Sequence, residues 1–129
     1  MPARAERDYS HVPLSRKLGI REGSKVSVIA EGVDHPIQAA QDVIVFFATT
    51  FDEVARRFSP LAKRLAPAGG LWIAYPKRTS GIDSDLSEAG LRDIGLDAGL
   101  VDNKICAIDE RWSATRFVTR LKDRPRLRG

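Results

Sequence analysis

The residues best suited to chemistry are Lys77 and Arg78, which close the stretch 69–78, GGLWIAYPKR, where an apolar run meets charge. Residues 71–75 predict a buried strand, loosened ahead by Gly69 and Gly70 and ended by Pro76, which has no N–H to offer a neighbouring strand. A basic pair leaving the carboxyl end of a strand stands at the edge where open α/β sheets take ligands. Two adjacent cations there can hold a phosphate or carboxylate, helped by free backbone N–H groups at the start of a following helix. The competing reading is a salt bridge from either cation to Asp83, Asp85 or Asp109 that only pins the loop.

The remaining reactive side chains point to no reaction. His35, between Asp34 and Pro36, offers a base on a loop, and His11 lies outside any metal-ligand spacing, so both read as solvated and no metal is expected. Cys106 is the single cysteine, which excludes an internal disulfide and a thiolate cluster; its apolar run 105–108 makes it a small buried hydrophobe. The stretch 19–25, GIREGSK, has the glycines and lysine of a phosphate loop at the wrong spacing, and it precedes its strand. Trp112 with Ser113 offers a binding wall, although such a tryptophan more often anchors a fold with its indole N–H satisfied. No nucleophile, base and orienting acid stand at a recognised spacing, so a binding or regulatory domain is expected rather than an enzyme.

The elements that must position these residues follow from pattern. Leu14, Leu18 and Ile20, with Val12 and Pro13, predict a short helical turn stopped by Gly19, and Gly23 and Ser24 turn the chain into strand β1 over 25–30. Residues 37–41 suggest one helical turn. The continuous apolar run 43–48 predicts a central strand, β2, covered on both faces. Thr50, Phe51, Asp52 and Glu53 form a capping box for a helix whose inner face is Val54, Phe58, Leu61 and Leu65. Pro60 predicts a kink or break there, with Ser59 recapping the second half, and Lys63 and Arg64 suit its negative pole.

The strand at 71–75 is β3. Ser84 or Asp85 should cap a second helix over 86–98, stopped by Gly99 and weakened by Gly90 and Gly95 at about 1 kcal/mol each against alanine. Residues 101–108 are β4. Residues 112–122 return as β5, with Phe117 and Leu121 on one face and Ala114 and Val118 on the other, and Arg116 and Arg120 placed to meet acids on neighbouring elements.

Long connections through the middle and a short one at the end predict a mostly parallel sheet finished by an antiparallel hairpin. The carboxyl ends of β2, β3 and β4 then share one edge, with the hairpin turn. That edge gives Lys77 and Arg78 as the anion contacts and Thr49, Thr50, Tyr75, Asp109, Trp112 and Ser113 as the wall of the candidate site.

With 129 residues the chain suits one compact α/β domain over 11–122, preceded by a flexible segment 1–10 and followed by a basic tail 123–129. No apolar run approaches a membrane span and the N-terminus has no signal-like stretch, so a cytoplasmic protein is expected, with no membrane partner. The net charge of +4 is concentrated at the end, where Arg116, Arg120, Lys122, Arg124, Arg126 and Arg128 face only Asp123. Few aromatics interleave with these cations, so nucleic acid is not the expected partner and a weak contact through the tail is kept only as an alternative. An anionic small molecule or an acidic protein segment is the expected partner.

Two resemblances add to this. The segment 65–77, LAPAGGLWIAYPK, resembles the approach to the fifth strand of class I methyltransferases, and the succeeding helix and terminal hairpin are similar to the second half of that fold. The resemblance implies a Rossmann-like sheet in which β5 inserts between β3 and β4, order 1-2-3-5-4. That family holds S-adenosylmethionine on a glycine-rich turn after its first strand; the turn here is Ala30, Glu31, Gly32, Val33, Asp34, so no cofactor is expected and a degenerate or atypical methyltransferase-like enzyme is the alternative function.

Along nearly the whole chain, Tyr9 and Ser10, Leu18-Gly19-Ile20 with Gly23, Pro76-Lys77 with Ser80-Gly81, Asp85-Leu86, Gly99-Leu100-Val101-Asp102 with Lys104, and Trp112-Ser113 with Arg120 resemble the bacterial family called domain of unknown function 3052. That resemblance supplies no activity.

Overall fold

A computed structural model of the chain describes residues 13–33, 37–38 and 40–124. The readings made above for Tyr9, Ser10, His11, Val12, His35, Arg126 and Arg128 lie outside the described residues. Helix α1 spans Leu14–Lys17, β1 Val26–Ile29, β2 Gln41–Phe47, α2 Phe51–Ala62, β3 Leu65–Pro76, α3 Glu88–Asp97, β4 Leu100–Ala107 and β5 Trp112–Thr119, with short 3-10 turns at Arg78–Ser80 and Leu121–Asp123. The five strands form one sheet in the order β1-β2-β3-β5-β4. β1, β2 and β3 are mutually parallel, and β5 runs antiparallel to both β3 and β4. No helix among the described residues is long and apolar enough to cross a membrane.

Alternation along the strands sends side chains to two unequal layers. On one face Ile44, Phe46, Leu71, Ile73 and Phe117 pack with Val54, Phe58 and Leu61 of α2 and Leu91 of α3. Phe58 and Phe117 meet edge to face with centroids 5.1 Å apart, the arrangement ring quadrupoles favour. Full burial of each such side chain stabilises the fold by roughly 1.5–3 kcal/mol. The other face, with Val43, Val45, Trp72, Ala74 and Ala114, is met by Leu18 and Ile20. There Trp72 donates its indole N–H to the Leu18 carbonyl at 3.1 Å, which ties the segment after α1 to the centre of the sheet.

Several expected boundaries move, for identifiable reasons. Residues 37–38 and 40 are not helical; Gln41 already pairs with Leu65, so β2 starts earlier than its apolar run. Leu65 opens β3 instead of extending the inner face of α2. Pro60 does not break α2. It sits in the last turn, and the chain closes normally behind it through Lys63 N–H to Ser59 carbonyl at 3.0 Å. Gly69 and Gly70 lie inside β3 rather than ahead of it. A Cβ on Gly69 would come 2.7 Å from the Gln41 carbonyl oxygen, and one on Gly70 would overlap the Arg116 guanidinium.

α3 starts at Glu88 with Ser87 as its cap, so Ser84 and Asp85 do not cap it. Its glycines are packing positions, because a Cβ on Gly90 would overlap the Phe51 ring and one on Gly95 the Phe117 ring. β5 ends at Thr119, before Leu121, which is 78% exposed. Arg116 meets no acid among the described residues: it donates to Asn103 Oδ1 at a long 3.4 Å. Burial, with Arg124 adding, lowers its pKa.

Candidate functional site

The carboxyl ends of β1, β2, β3 and β4 lie along one edge, and the β4–β5 turn stands at that edge too. At the β2 end, Thr50 accepts the Glu53 N–H at 3.2 Å and starts α2 as a capping residue should. Glu53 does not complete the capping box. Its carboxylate instead accepts the Gly32 N–H at 3.0 Å and sits 3.8 Å from Arg57, whose guanidinium donates to the Val33 carbonyl at 2.6 Å. Arg57 also lies over the Phe46 ring, 4.8 Å from its centroid. The turn after β1 is thereby fastened to the first turns of α2.

Two further bonds draw the loop before α3 into the same place. Thr49 donates its hydroxyl to Glu31, while the Thr49 carbonyl accepts from Ser84 Oγ at 2.8 Å and from the Asp85 N–H at 3.2 Å. Asp85 Oδ1 accepts the Phe51 N–H at 2.8 Å, so this acid caps α2 rather than the helix that follows it. Most of the polar groups at the β1 and β2 ends are therefore occupied by one another.

The β3 end differs. Lys77 is held through its main chain, its N–H donating to the Arg111 carbonyl at 2.8 Å, and its side chain is half-buried while Arg78 is exposed. Neither cation has a carboxylate partner among the described residues. The acids proposed to neutralise them are otherwise placed in two cases: Asp85 caps α2, and Asp109 Oδ1 accepts the Arg111 and Trp112 N–H groups, both at 2.8 Å, shaping the hairpin turn. Among the described residues the loop-pinning salt bridge does not form.

The expected wall divides between the faces of the sheet. Tyr75 and Ser113 are register partners and share the helix-covered face. Trp112 lies on the other, stacked edge to face on Phe47 at 5.1 Å; its indole N–H has no partner among the described residues. Burial raises the Tyr75 phenol above its ordinary 10.0; the neighbouring Thr115 hydroxyl pulls it back and Glu88 pushes it further up. Thr115 Oγ1 is buried and has no hydrogen-bond partner within normal geometry among the described residues. Cys106 is half-buried, and burial pushes its thiol up against the opposing pull of Lys17 and Lys104. That is the behaviour of an inert thiol. Among the described residues no group of three or more His, Cys, Asp and Glu could hold a metal ion.

The edge-wide network was hidden from sequence reasoning. Glu31 and Glu53 both belong to it, and the signal that could have found them is the run 49–53, polar but for Phe51, placed beside the turn 30–33 by the parallel pairing of β1 and β2.

No protein-family profile matches the chain, so the likeness to domain of unknown function 3052 gains no support, and no curated protein matches it in sequence. Solved structures do. The magnesium protoporphyrin IX methyltransferase ChlM from Synechocystis PCC 6803 with bound SAH superimposes with a TM-score of 0.51 at 14% identity, over 64% of this chain and 46% of that one. A LepI variant in complex with SAH and a substrate analogue gives 0.55 at 8% identity, over 87% of this chain and 40% of that one. LepI with SAM gives 0.51 at 9% identity, over 84% and 47%. The chain spans less than half the length of these structures. What the likeness establishes is architecture: a mixed α/β chain with one five-stranded sheet in the order 1-2-3-5-4, a Rossmann-like methyltransferase fold.

Proposed function

We propose that the chain is an atypical methyltransferase-like domain that takes an anionic ligand at the carboxyl edge of its sheet, with Lys77 and Arg78 as the charge contacts. The observation that carries this is the pair of cations left without a carboxylate partner among the described residues, at the β3 end of a methyltransferase-type sheet. The solved structures with the same fold bind SAH or SAM, which supports a ligand of that class. Both molecules carry an amino-acid carboxylate, which a lysine and an arginine can hold, the arginine through two parallel N–H donors. Glu31 stands two strands away at the β1 end, about 10 Å at the usual strand spacing, where a carboxylate can accept hydroxyl donors from a sugar.

The fit to such a cofactor is incomplete. The Gly32 N–H, which a ligand cradle would need, is held by Glu53, and the Val33 N–H by the Ala30 carbonyl at 3.1 Å. The same occupied turn favours the second reading, a non-enzymatic domain that recognises an anionic small molecule or an acidic protein segment through Lys77 and Arg78 alone.

Calorimetric titration and thermal shift with S-adenosylmethionine, S-adenosylhomocysteine and a panel of nucleotides and phosphopeptides separate the two. A ligand at ~100 times its dissociation constant adds roughly 2.7 kcal/mol of stability. Adenosyl ligands that bind the wild type and lose at least tenfold in affinity with Lys77→Ala support the first reading. Binding of phosphorylated compounds alone supports the second. No binding in the whole panel, or equal binding by Lys77→Ala and Arg78→Ala, removes the site.

A further inference from the structure

β1 and β4 are the two outer strands of the sheet. β4 carries what blunts an edge: a register irregularity between Asp102 and Lys104, and charged side chains at both of those positions. β1, Val-Ser-Val-Ile, has no bulge, proline or charge, and Val28 is 60% exposed. Among the described residues no strand lies on its outer side.

Its hydrogen-bonding groups can be assigned. The Lys25 carbonyl accepts the Asp42 and Val43 N–H groups at 2.8 and 3.1 Å, so Lys25, Ser27 and Ile29 turn their main-chain groups toward β2. By alternation, Val26, Val28 and Ala30 turn theirs outward.

We infer that this edge is a self-association surface, at which β1 of a second copy pairs antiparallel about a two-fold axis through Val28. In that register Val28 faces Val28 as a hydrogen-bonded pair, and Val26 faces Ala30 on either side; the Ala30 carbonyl already accepts the Val33 N–H, so about four bonds form, two between the Val28 residues and two from Ala30 N–H groups to Val26 carbonyls. The exposed Val28 side chains then cover one another. The same register brings the exposed Lys25 of each copy toward the turn that carries the exposed Glu31 of the other, whose Oε2 accepts the Thr49 hydroxyl while Oε1 has no partner among the described residues. A shift by one residue in either direction removes this charge match. The surface is self-complementary in hydrogen bonds, apolar contact and charge, as an isologous contact must be. The pairing does not involve Lys77 or Arg78 and shares only Glu31 with the proposed ligand site.

A contact of one short strand is small, so the dimer is reversible and weak. Sedimentation velocity of the full chain from ~10 μM to ~1 mM, a range suited to weak association, should show monomer giving way to dimer. Val28→Pro removes only an outward N–H, and Lys25→Glu or Glu31→Lys sets like charges opposite; each should weaken the dimer at least tenfold. The Lys25→Glu/Glu31→Lys double variant should restore it. Circular dichroism shows whether Val28→Pro remains folded; if it does not, the surface charge variants decide. A chain that stays monomeric throughout the range, or a dimer indifferent to both single charge reversals, overturns the inference. Loss in both single reversals without recovery in the double variant overturns the register.

Discussion

Asp85 accepts the main-chain N–H of Phe51 at 2.8 Å, so the first turn of α2 is capped by a residue that enters from the far side of β3. Thr50 caps the same helix from within, through the Glu53 N–H. Replacing Asp85 by alanine leaves one N–H unpaired and should cost ~1 kcal/mol, with Asp85→Asn retaining most of the stability. Thermal denaturation should show a fall of roughly 3–6 °C for alanine. An unchanged midpoint would show that the bond contributes nothing.

Gly95→Ala gains helix propensity of about 1 kcal/mol but forces its methyl into the buried Phe117 ring, where overpacking costs roughly 1–3 kcal/mol. Gly90→Ala meets Phe51, which is only half-buried and can turn aside. Urea midpoints should therefore fall for Gly95→Ala and stay near the wild type for Gly90→Ala. The reverse order would mean that Phe117, not Phe51, has room to move.

Trp72→Phe removes the indole donor to the Leu18 carbonyl and part of a fully buried side chain. A loss of roughly 1–3 kcal/mol is expected, together with faster amide exchange in the segment 14–20. Equal exchange in both proteins would show that the bond does not hold that segment.

Alkaline stability follows from two raised acids. Burial lifts the Cys106 thiol above its ordinary 9.0 and the Tyr75 phenol above 10.0. Since the folded state holds these protons more tightly than the unfolded one, their contribution is full below the ordinary values and is lost as pH rises through the raised ones. Melting temperature should decline with pH above about 9. The Cys106→Ala/Tyr75→Phe double variant should lose less over the same range; an identical slope would assign the decline to other groups.

The parts of this fold legible in the sequence are those that depend on neighbours along the chain. Thr50 with Glu53 marks the start of α2, Gly19 and Gly99 mark turns where φ is +82° and +86°, and the run after Asp42 fills a central strand. Helix and strand order, with the likeness at 65–77, then gives the sheet order. The parts that were not legible depend on partners across the sheet. Asp85 looked like a cap for the helix beside it, but its carboxylate accepts the Phe51 N–H across the sheet edge instead. Gly69 and Gly70 read as chain looseness, yet each lies where another group approaches: the Gln41 carbonyl and the Arg116 guanidinium. Leu65 fits the helical period equally well, and only its pairing with Gln41 assigns it to β3. At the candidate site, the sequence showed which residues reach the edge but not that Asp85 and Asp109 spend their carboxylates on backbone donors.

The link between Leu18 and Trp72, which spans 54 positions, also orders events during folding. The surface that receives Leu18 and Ile20 is assembled from β2, β3 and β5, so it is complete only once the last strand lies beside β3. Residues 14–20 leave the ribosome before any of those strands, yet their full docking surface forms only after all of them. Synthesis runs from one end of the chain while consolidation closes at the same end, and the segment made early is the seal applied late.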